Sequence, residues 1–334
     1  KHRMTKRILI LSHDNKIGDA IVATGLFKPL RAHWPDCEIG VLCGTSNAAL
    51  YRHHPDVKWL HVSTSRNVFA RMWASLKARF VGYDIVVHFG LDLANPSVQI
   101  VLNMVNAKQR YLFLKHPTKP LPNDVVMEGD WHEPHYSARH QQFLQTLGAC
   151  AEPYQYDIRL SPEIPKVVAQ RNGLLMVVNS QSSTKNRSLS ISWLREFVSL
   201  ALEQHTDMRI QLLSASATHE AEQQRAFADF ADRVSVTACH PSVSHSLAVI
   251  QAADVVLSPD TYAVHAAGAW NIPVLALYEP SSTTMDLWGP ASDSYVQICA
   301  PADKAVSDIN IQDVTDALTH LLTMPQLRER VLLK

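Results

Sequence analysis

Residues 246–278, SLAVIQAADVVLSPDTYAVHAAGAWNIPVLALY, decide the fold. A helix-like stretch from Ser246 leads into Val255–Ser258, a short buried strand by its β-branched content. Asp260-Thr261 then opens a second helix, and Pro273–Tyr278 reads as the next strand. Ala266, Ala267, Gly268 and Ala269 are small enough for that second helix to pack close to its neighbours. Strands that are apolar on both faces and alternate with helices make a parallel sheet covered on both sides.

The same alternation runs through the rest of the chain. Candidate strands in the first half are Arg7–Ser12, Glu38–Cys43, Trp59–Val62, Asp84–Phe89 and Arg110–Leu114. A helix is expected over His135–Leu147, closed by Gly148. Leu174–Asn179, Arg209–Ser214 and Val234–Thr237 precede the opening stretch in a second series. Ser161-Pro162-Glu163-Ile164-Pro165 is polar and proline-punctuated, as a linker should be. The expectation is therefore two Rossmann-like domains, residues 1–160 and 161–334. At 334 residues the length agrees with two domains.

Hydrophobic residues make up 46% of the chain and charged residues 19%, which excludes a disordered or fibrous protein. No apolar run approaches the ~18 residues of a membrane span. Lys6-Arg7 runs into a strand and not into a signal-peptide core, so a cytoplasmic protein is expected. Lys+Arg and Asp+Glu both number 31, which gives no overall charge for nucleic acid. The balance is uneven along the chain, however. Residues 1–160 hold 19 basic against 13 acidic side chains, net +6, and residues 161–334 hold 12 against 18, net −6. The basic half is the better partner for an anion.

Five scattered cysteines without a CxxC pair argue against a disulfide framework or a structural zinc site. Among 17 histidines the densest stretch is Trp131-His132-Glu133-Pro134-His135. It is one residue short of HExxH and broken by proline, so solvated or hydrogen-bonding histidines are expected there and no metal site.

Three stretches can carry chemistry. The loop after the first strand, Ser12-His13-Asp14-Asn15-Lys16-Ile17-Gly18-Asp19, lies where open α/β sheets bind ligands. Gly18 permits a tight turn, and Asp19 is either a functional carboxylate or an acid favoured by the helix dipole. The loop is neither GxGxxG nor Walker A, which argues against a dinucleotide enzyme or an ATPase. In Asn179–Ser188, hydroxyls, amides and two cations collect after a buried strand. Ser183, Thr184, Lys185 and Arg187 can hold a diphosphate, or the run is a solvated loop before a serine-capped helix. In the third, Asp260 can accept sugar hydroxyls, with Thr261 and the helix start holding phosphate, or Asp260 is an N-cap and His265 a core histidine.

At this point the chain resembles a known family. Residues 6–44, KRILILSHDNKIGDAIVATGLFKPLRAHWPDCEIGVLCG, are similar to the opening of glycosyltransferase family 9, which includes the ADP-heptose:lipopolysaccharide heptosyltransferases. Residues 246–290, SLAVIQAADVVLSPDTYAVHAAGAWNIPVLALYEPSSTTMDLWGP, resemble its donor motif, and HYSARHQQFLQTLGA its helix before the linker. The resemblance implies a GT-B fold, two facing Rossmann-like domains with parallel sheets and the active site in the cleft between them. It implies an acceptor-binding amino-terminal domain and a nucleotide-sugar-binding carboxy-terminal one. The Gly-Asp pair of the family maps to Gly18-Asp19, with Asp19 as catalytic base. Its phosphate lysine maps to Lys185–Arg187, and its Asp-Thr-Gly-x-x-His motif to Asp260, Thr261 and His265.

The implied reaction is inverting, metal-independent transfer of heptose from ADP-heptose to a lipopolysaccharide core, with no cofactor beyond the ADP-sugar itself. The absence of a DxD motif agrees. Two positions and one short stretch depart from the pattern. Tyr262 and Glu279 replace glycines, and Asn186-Arg187-Ser188-Leu189 replaces a lysine-tryptophan feature. These leave open another donor, another acceptor, or a member that binds a sugar nucleotide or glycolipid without transferring.

Arg66–Phe80, RNVFARMWASLKARF, is an amphipathic helix with Val68, Phe69, Met72, Trp73, Leu76 and Phe80 apolar. With Arg66, Arg71, Lys77 and Arg79 it either meets an anionic glycolipid or the inner face of the inner membrane, or covers the sheet and leaves a solvated basic face.

Overall fold

Strand and helix alternate along the whole chain. In the first half the order is β1 (Arg7–Ser12), α1 (Ile17–Ala23), α2 (Phe27–His33), β2 (Glu38–Gly44), α3 (Ala49–Arg52) and β3 (Val57–Ser63). There follow α4 (Val68–Val81), β4 (Ile85–His88), α5 (Pro96–Val105), β5 (Gln109–Leu114), β6 (Asp124–Glu128) and α6 (Ser137–Leu147). The second half begins β7 (Leu174–Val178), α7 (Ile191–Gln204), β8 (Met208–Leu212), α8 (Ala217–Ala226), β9 (Val234–Val236) and α9 (Ser244–Gln251). It ends β10 (Val255–Pro259), α10 (Tyr262–Ala269), β11 (Val274–Tyr278), α11 (Ser282–Leu287), β12 (Tyr295–Cys299) and α12 (Ile311–Leu322). The computed structural model describes residues 5–114, 120–132, 134–149, 153–165, 173–230, 232–280 and 282–323. Two units divide between Ser161 and Pro162.

Each unit is built on one six-stranded sheet, ordered β3-β2-β1-β4-β5-β6 in the first and β9-β8-β7-β10-β11-β12 in the second. Every pairing is parallel, as in Ile10 beside Val41 and Val87, and Val178 beside Leu212 and Leu257. Parallel sheets carry helices on both faces, which is why the central strands are apolar without alternation. β10 and β11 are buried at every position.

β6 and β12 are strands that the hydrophobic pattern does not announce. Both are outermost in their sheets, and most of their residues are partly exposed. An edge strand is covered less, so DVVME and YVQIC can be more polar than the strands inside.

Helix ends follow ordinary capping chemistry. Asn67, Asn95, Ser190, Ser216, Thr261 and Asn310 each accept a backbone N–H of the helix they start. Gly148 closes α6 at φ 76°, as expected from its sequence. In the second unit, Trp193, Leu194, Phe197 and Val198 of α7 and Val314, Leu318 and Leu321 of α12 pack on one sheet face. In the first, Ala74 and Ala78 of α4 and Val98, Val101 and Leu102 of α5 cover Leu9, Leu42 and Val86.

Strand order reverses direction between β1 and β4, and again between β7 and β10. Loops leaving neighbouring strands there run to opposite faces and open a crevice, the place where doubly wound sheets bind ligands. The stretches after β1, β7 and β10 that carry the candidate chemistry sit at these two points.

Candidate active site

At the first switch point the loop after β1 is pinned from the side of β2. Asn15 adopts φ 65°, so the tight turn expected of Gly18 is made by Asn15, in the left-handed region. Gly18 is the second residue of α1. The Asn15 Oδ1 accepts from the Ser46 N–H at 2.7 Å, and its amide donates to the Ser46 hydroxyl at 3.0 Å. Only glycine allows this approach, since a Cβ at Gly44 would lie 2.2 Å from Asn15 Oδ1. Asn47 donates to the Ser12 carbonyl at 2.9 Å, and the Tyr51 hydroxyl to Ser12 Oγ at 2.8 Å.

This frame fixes Asp19 in the first turn of α1. Lys16 stands at the N-cap, and no side chain caps the helix, so Asp19 does not serve as a cap. Its half-buried carboxyl is hydrogen-bonded to that of Asp14. Burial first, and then the Asp14 charge, hold the Asp19 carboxyl well above the usual carboxylate range, against the pull of Lys16 and Arg139. A carboxyl so placed holds its proton more tightly than an ordinary one and is a stronger base once ionised.

Around the pair lie residues that no sequence motif singled out. His13 packs on His88 with ring centroids 5.4 Å apart. Burial, with His88 next, lowers the His13 pKa to about 4, so the ring is neutral at physiological pH. His88 is bonded to Asp92 Oδ1 at 2.9 Å, and that bond lowers the Asp92 pKa to about 2. Arg139 is buried on α6, donates to the Phe89 and Trp131 carbonyls at 2.8 and 2.9 Å, and lies over the Tyr136 ring. The signal that finds them is positional: His13 and His88 are at the carboxyl ends of adjacent strands, β1 and β4.

At the second switch point Thr261 is held inside the protein. Its Oγ1 accepts from the Asn179 amide at 2.9 Å and the Ala263 N–H at 3.2 Å, and meets Ser258 Oγ at 2.8 Å. The hydroxyl therefore has no capacity left for the phosphate expected of it, and the backbone N–H groups at the start of α10 remain. His265 is buried within α10, edge-on to Trp288 at 5.8 Å, so it sits in the core behind the site.

Asp260 follows β10 and is half-buried; burial raises its pKa to about 6, Arg187 lowers it and Glu279 raises it. Arg187 Nε donates to Glu279 Oε2 at 2.8 Å. Two departures from the family pattern are thus one ion pair, with the charge of Arg187 already answered. Lys185, exposed in the short turn Lys185–Arg187, pairs with no acid among the described residues. Ser183 and Thr184 are exposed beside it. Ser188 ties the loop together, accepting from the Ser182 N–H at 3.0 Å and donating to the Thr184 carbonyl at 2.8 Å. Tyr262 hydrogen-bonds Ser246 of α9, which ties the start of α10 to that helix.

Two acid-histidine contacts, both made by His54, lie elsewhere in the first unit. Among the described residues His54, Asp56 and Asp157 are the one group with ligand-like spacing. Arg31 and Arg159 already bind the two carboxylates, and His54 Nε2 lies 3.3 Å from Asp157 Oδ2, which makes it a structural cluster held by two arginine–aspartate pairs. His135 is bonded to Ser137 Oγ at 2.8 Å, while Glu133 of the same stretch lies outside the described residues.

A curated Escherichia coli protein named "Putative lipopolysaccharide heptosyltransferase 4" is 21% identical, over 95% of this chain and 87% of the relative. A family 9 glycosyl transferase from Veillonella parvula superposes with a TM-score of 0.77 at 15% identity, covering 95% of this chain and 97% of that one. Escherichia coli heptosyltransferase WaaC with ADP gives 0.75 at 17% identity, covering 94% and 99%. At these identities the likeness to solved structures is one of fold, the GT-B class of two Rossmann-like units. The model of glycosyltransferase family 9 (heptosyltransferase) matches residues 128–318, more than half of the chain. With that match reaching from the end of β6 into α12, the chain belongs to glycosyltransferase family 9, the heptosyltransferase family.

Proposed function

We propose that this glycosyltransferase moves heptose from ADP-heptose to a lipopolysaccharide core acceptor, with inversion and without a metal ion. The observation that carries the reading is the division of labour between the two switch points. One holds a raised carboxyl, Asp19, close to the neutral ring of His13. The other holds, on the loop after β7, a lysine that pairs with no acid among the described residues, and, after β10, the N–H groups that start α10.

In this reading ionised Asp19 takes the proton of an acceptor hydroxyl. The hydroxyl oxygen forms its bond to the anomeric carbon as the bond from that carbon to the β-phosphate oxygen breaks. In-line attack inverts the anomeric centre. Lys185 and the α10 amides receive the charge that grows on the leaving ADP, the work a metal ion does in other transferases. Asp260 accepts hydroxyls of the donor. The ADP in the WaaC structure and the name of the Escherichia coli relative support the choice of donor and acceptor.

Thermal-shift measurements against ADP, ADP-heptose, UDP, GDP and CMP sugars, each with and without magnesium, test this directly. Stabilisation by ADP and ADP-heptose and by none of the UDP, GDP or CMP sugars, indifferent to magnesium, is expected. The Arg187–Glu279 pair favours one second reading, a different nucleotide-sugar donor, because a carboxylate stands among the donor-site groups. Stabilisation by another nucleotide would replace the first reading with that one.

A further inference from the structure

Helix α4 is built inside out. An amphipathic helix on a sheet normally turns its large apolar side chains inward. Here the buried residues are Ala74, Ser75 and Ala78, which pack on α5 and the sheet. Phe69, Trp73 and Phe80 are 79%, 60% and 82% exposed, and Val68 is 43% exposed. Positions 69, 73, 76 and 80 follow helical spacing, so Phe69, Trp73, half-buried Leu76 and Phe80 make one continuous stripe on the open side.

Cations border this stripe. At about 100° per residue, Lys77 falls along one edge and Arg79 along the other, and exposed Arg66 precedes the helix. The Lys77 ammonium lies 5.5 Å from the Trp73 ring centroid, its stem along the aromatic. No acidic residue occurs between Arg66 and Gly82. Other cations of the unit are held in ion pairs, such as Arg7 and Lys58 with Glu38, Lys108 with Asp84, and Arg110 with Asp124. Arg66, Lys77 and Arg79 pair with no acid among the described residues. Arg71 behaves differently from the basic face expected of it: it turns inward and donates to Ser97 Oγ at 2.7 Å, near His13.

We infer that the open face of α4 docks on an anionic phospholipid bilayer. Aromatic side chains enter the headgroup–acyl boundary, and Arg66, Lys77 and Arg79 meet lipid phosphates. Among the described residues no helix is long and apolar enough to cross a membrane, so the contact is peripheral. Because Arg71 of the same helix reaches toward the first switch point, docking would set that site at a fixed height above the bilayer. The inference needs no transfer activity and stands or falls apart from the choice of donor.

Co-sedimentation of the full chain with phosphatidylcholine vesicles, with and without phosphatidylglycerol, tests it. Binding to the anionic vesicles is expected to be about a hundredfold tighter and to weaken with salt. Phe69→Ser/Trp73→Ser/Phe80→Ser and, separately, Lys77→Glu/Arg79→Glu should each reduce it at least about tenfold, with melting temperatures unchanged because these side chains are at the surface. Brominated acyl chains should quench the wild type more than Trp73→Phe. Equal binding to both vesicle types, or binding indifferent to either set of substitutions, would overturn the proposal. So would a lipid-free dimer in sedimentation velocity that the triple serine variant splits, which would make the face a contact between two copies.

Discussion

The two units share a strand order and differ in the chemistry at its reversal. The first unit is basic overall, at net +6, yet its switch point gathers Asp14, Asp19 and Asp92 beside neutral His13. The second is acidic overall, at net −6, yet its loop offers Lys185 and Arg187. Net charge therefore describes each unit's surface and not its site. Sheet topology chooses where ligands sit, and a few loop residues choose which proton or phosphate is handled there.

The comparison breaks if Asp19 and Lys185 do not divide the work as described. Asp19→Asn should reduce kcat about a thousandfold while ADP binding and thermal stability persist, since general-base groups contribute about 10²–10⁴. A joint fall in nucleotide binding and stability would return Asp19 to a structural role. Lys185→Ala should cost about a hundredfold in kcat/KM and Arg187→Ala clearly less, because Arg187 is already paired. A larger loss for Arg187→Ala, measured under the same steady-state conditions, would assign the phosphate to arginine.

Stability distinguishes the sites by pH. The folded pKa of Asp260, about 6, is above its ordinary value of 3.8, so the fold resists ionisation. That cost is absent below about pH 4, grows as the pH rises toward 6 and is complete above it, on the order of 2–3 kcal/mol. Asp260→Asn should raise the melting temperature at pH 8 and leave it unchanged at pH 4. Melting curves at the two pH values suffice, and an equal change at both would contradict the raised pKa. Asp14→Asn removes the charge that, after burial, raises Asp19, so the acid limb of the kcat/KM profile should move to lower pH. An unmoved limb would mean that the pair does not act together. The smallest effect is expected of Glu279→Gln, which frees Arg187 and should tighten ADP binding by about threefold in calorimetry, as befits a partly exposed pair. Weaker binding would show that Glu279 itself meets the donor.

Much of this was readable from the chain alone. Central strands such as ILIL in β1 and VVLS in β10 must be buried on both faces, and that demand writes itself into composition. Asp19 and Asp260 were findable because each follows such a strand. The edge strands β6 and β12 were not, since partial exposure removes the apolar signal. His88, Asp92 and Arg139 belong to a site only once β4 and α6 are folded beside β1, and no local spacing records that neighbourhood.

What the sequence by itself determined is therefore the alternation, the division near Ser161 and the loops where chemistry concentrates, because these follow from local periodicity and from which strands lack polar residues. Which groups meet was decided by the tertiary structure alone. Arg187 and Glu279 are far apart along the chain and are joined only by β7 and β11 ending on the same side of one sheet. The turn fell to Asn15 and not Gly18 because Gly44 leaves room for the asparagine side chain. Periodicity marks α4 as two-faced, but only packing decides which face is open: alanines allow close approach to α5, and the aromatics are left on the outside.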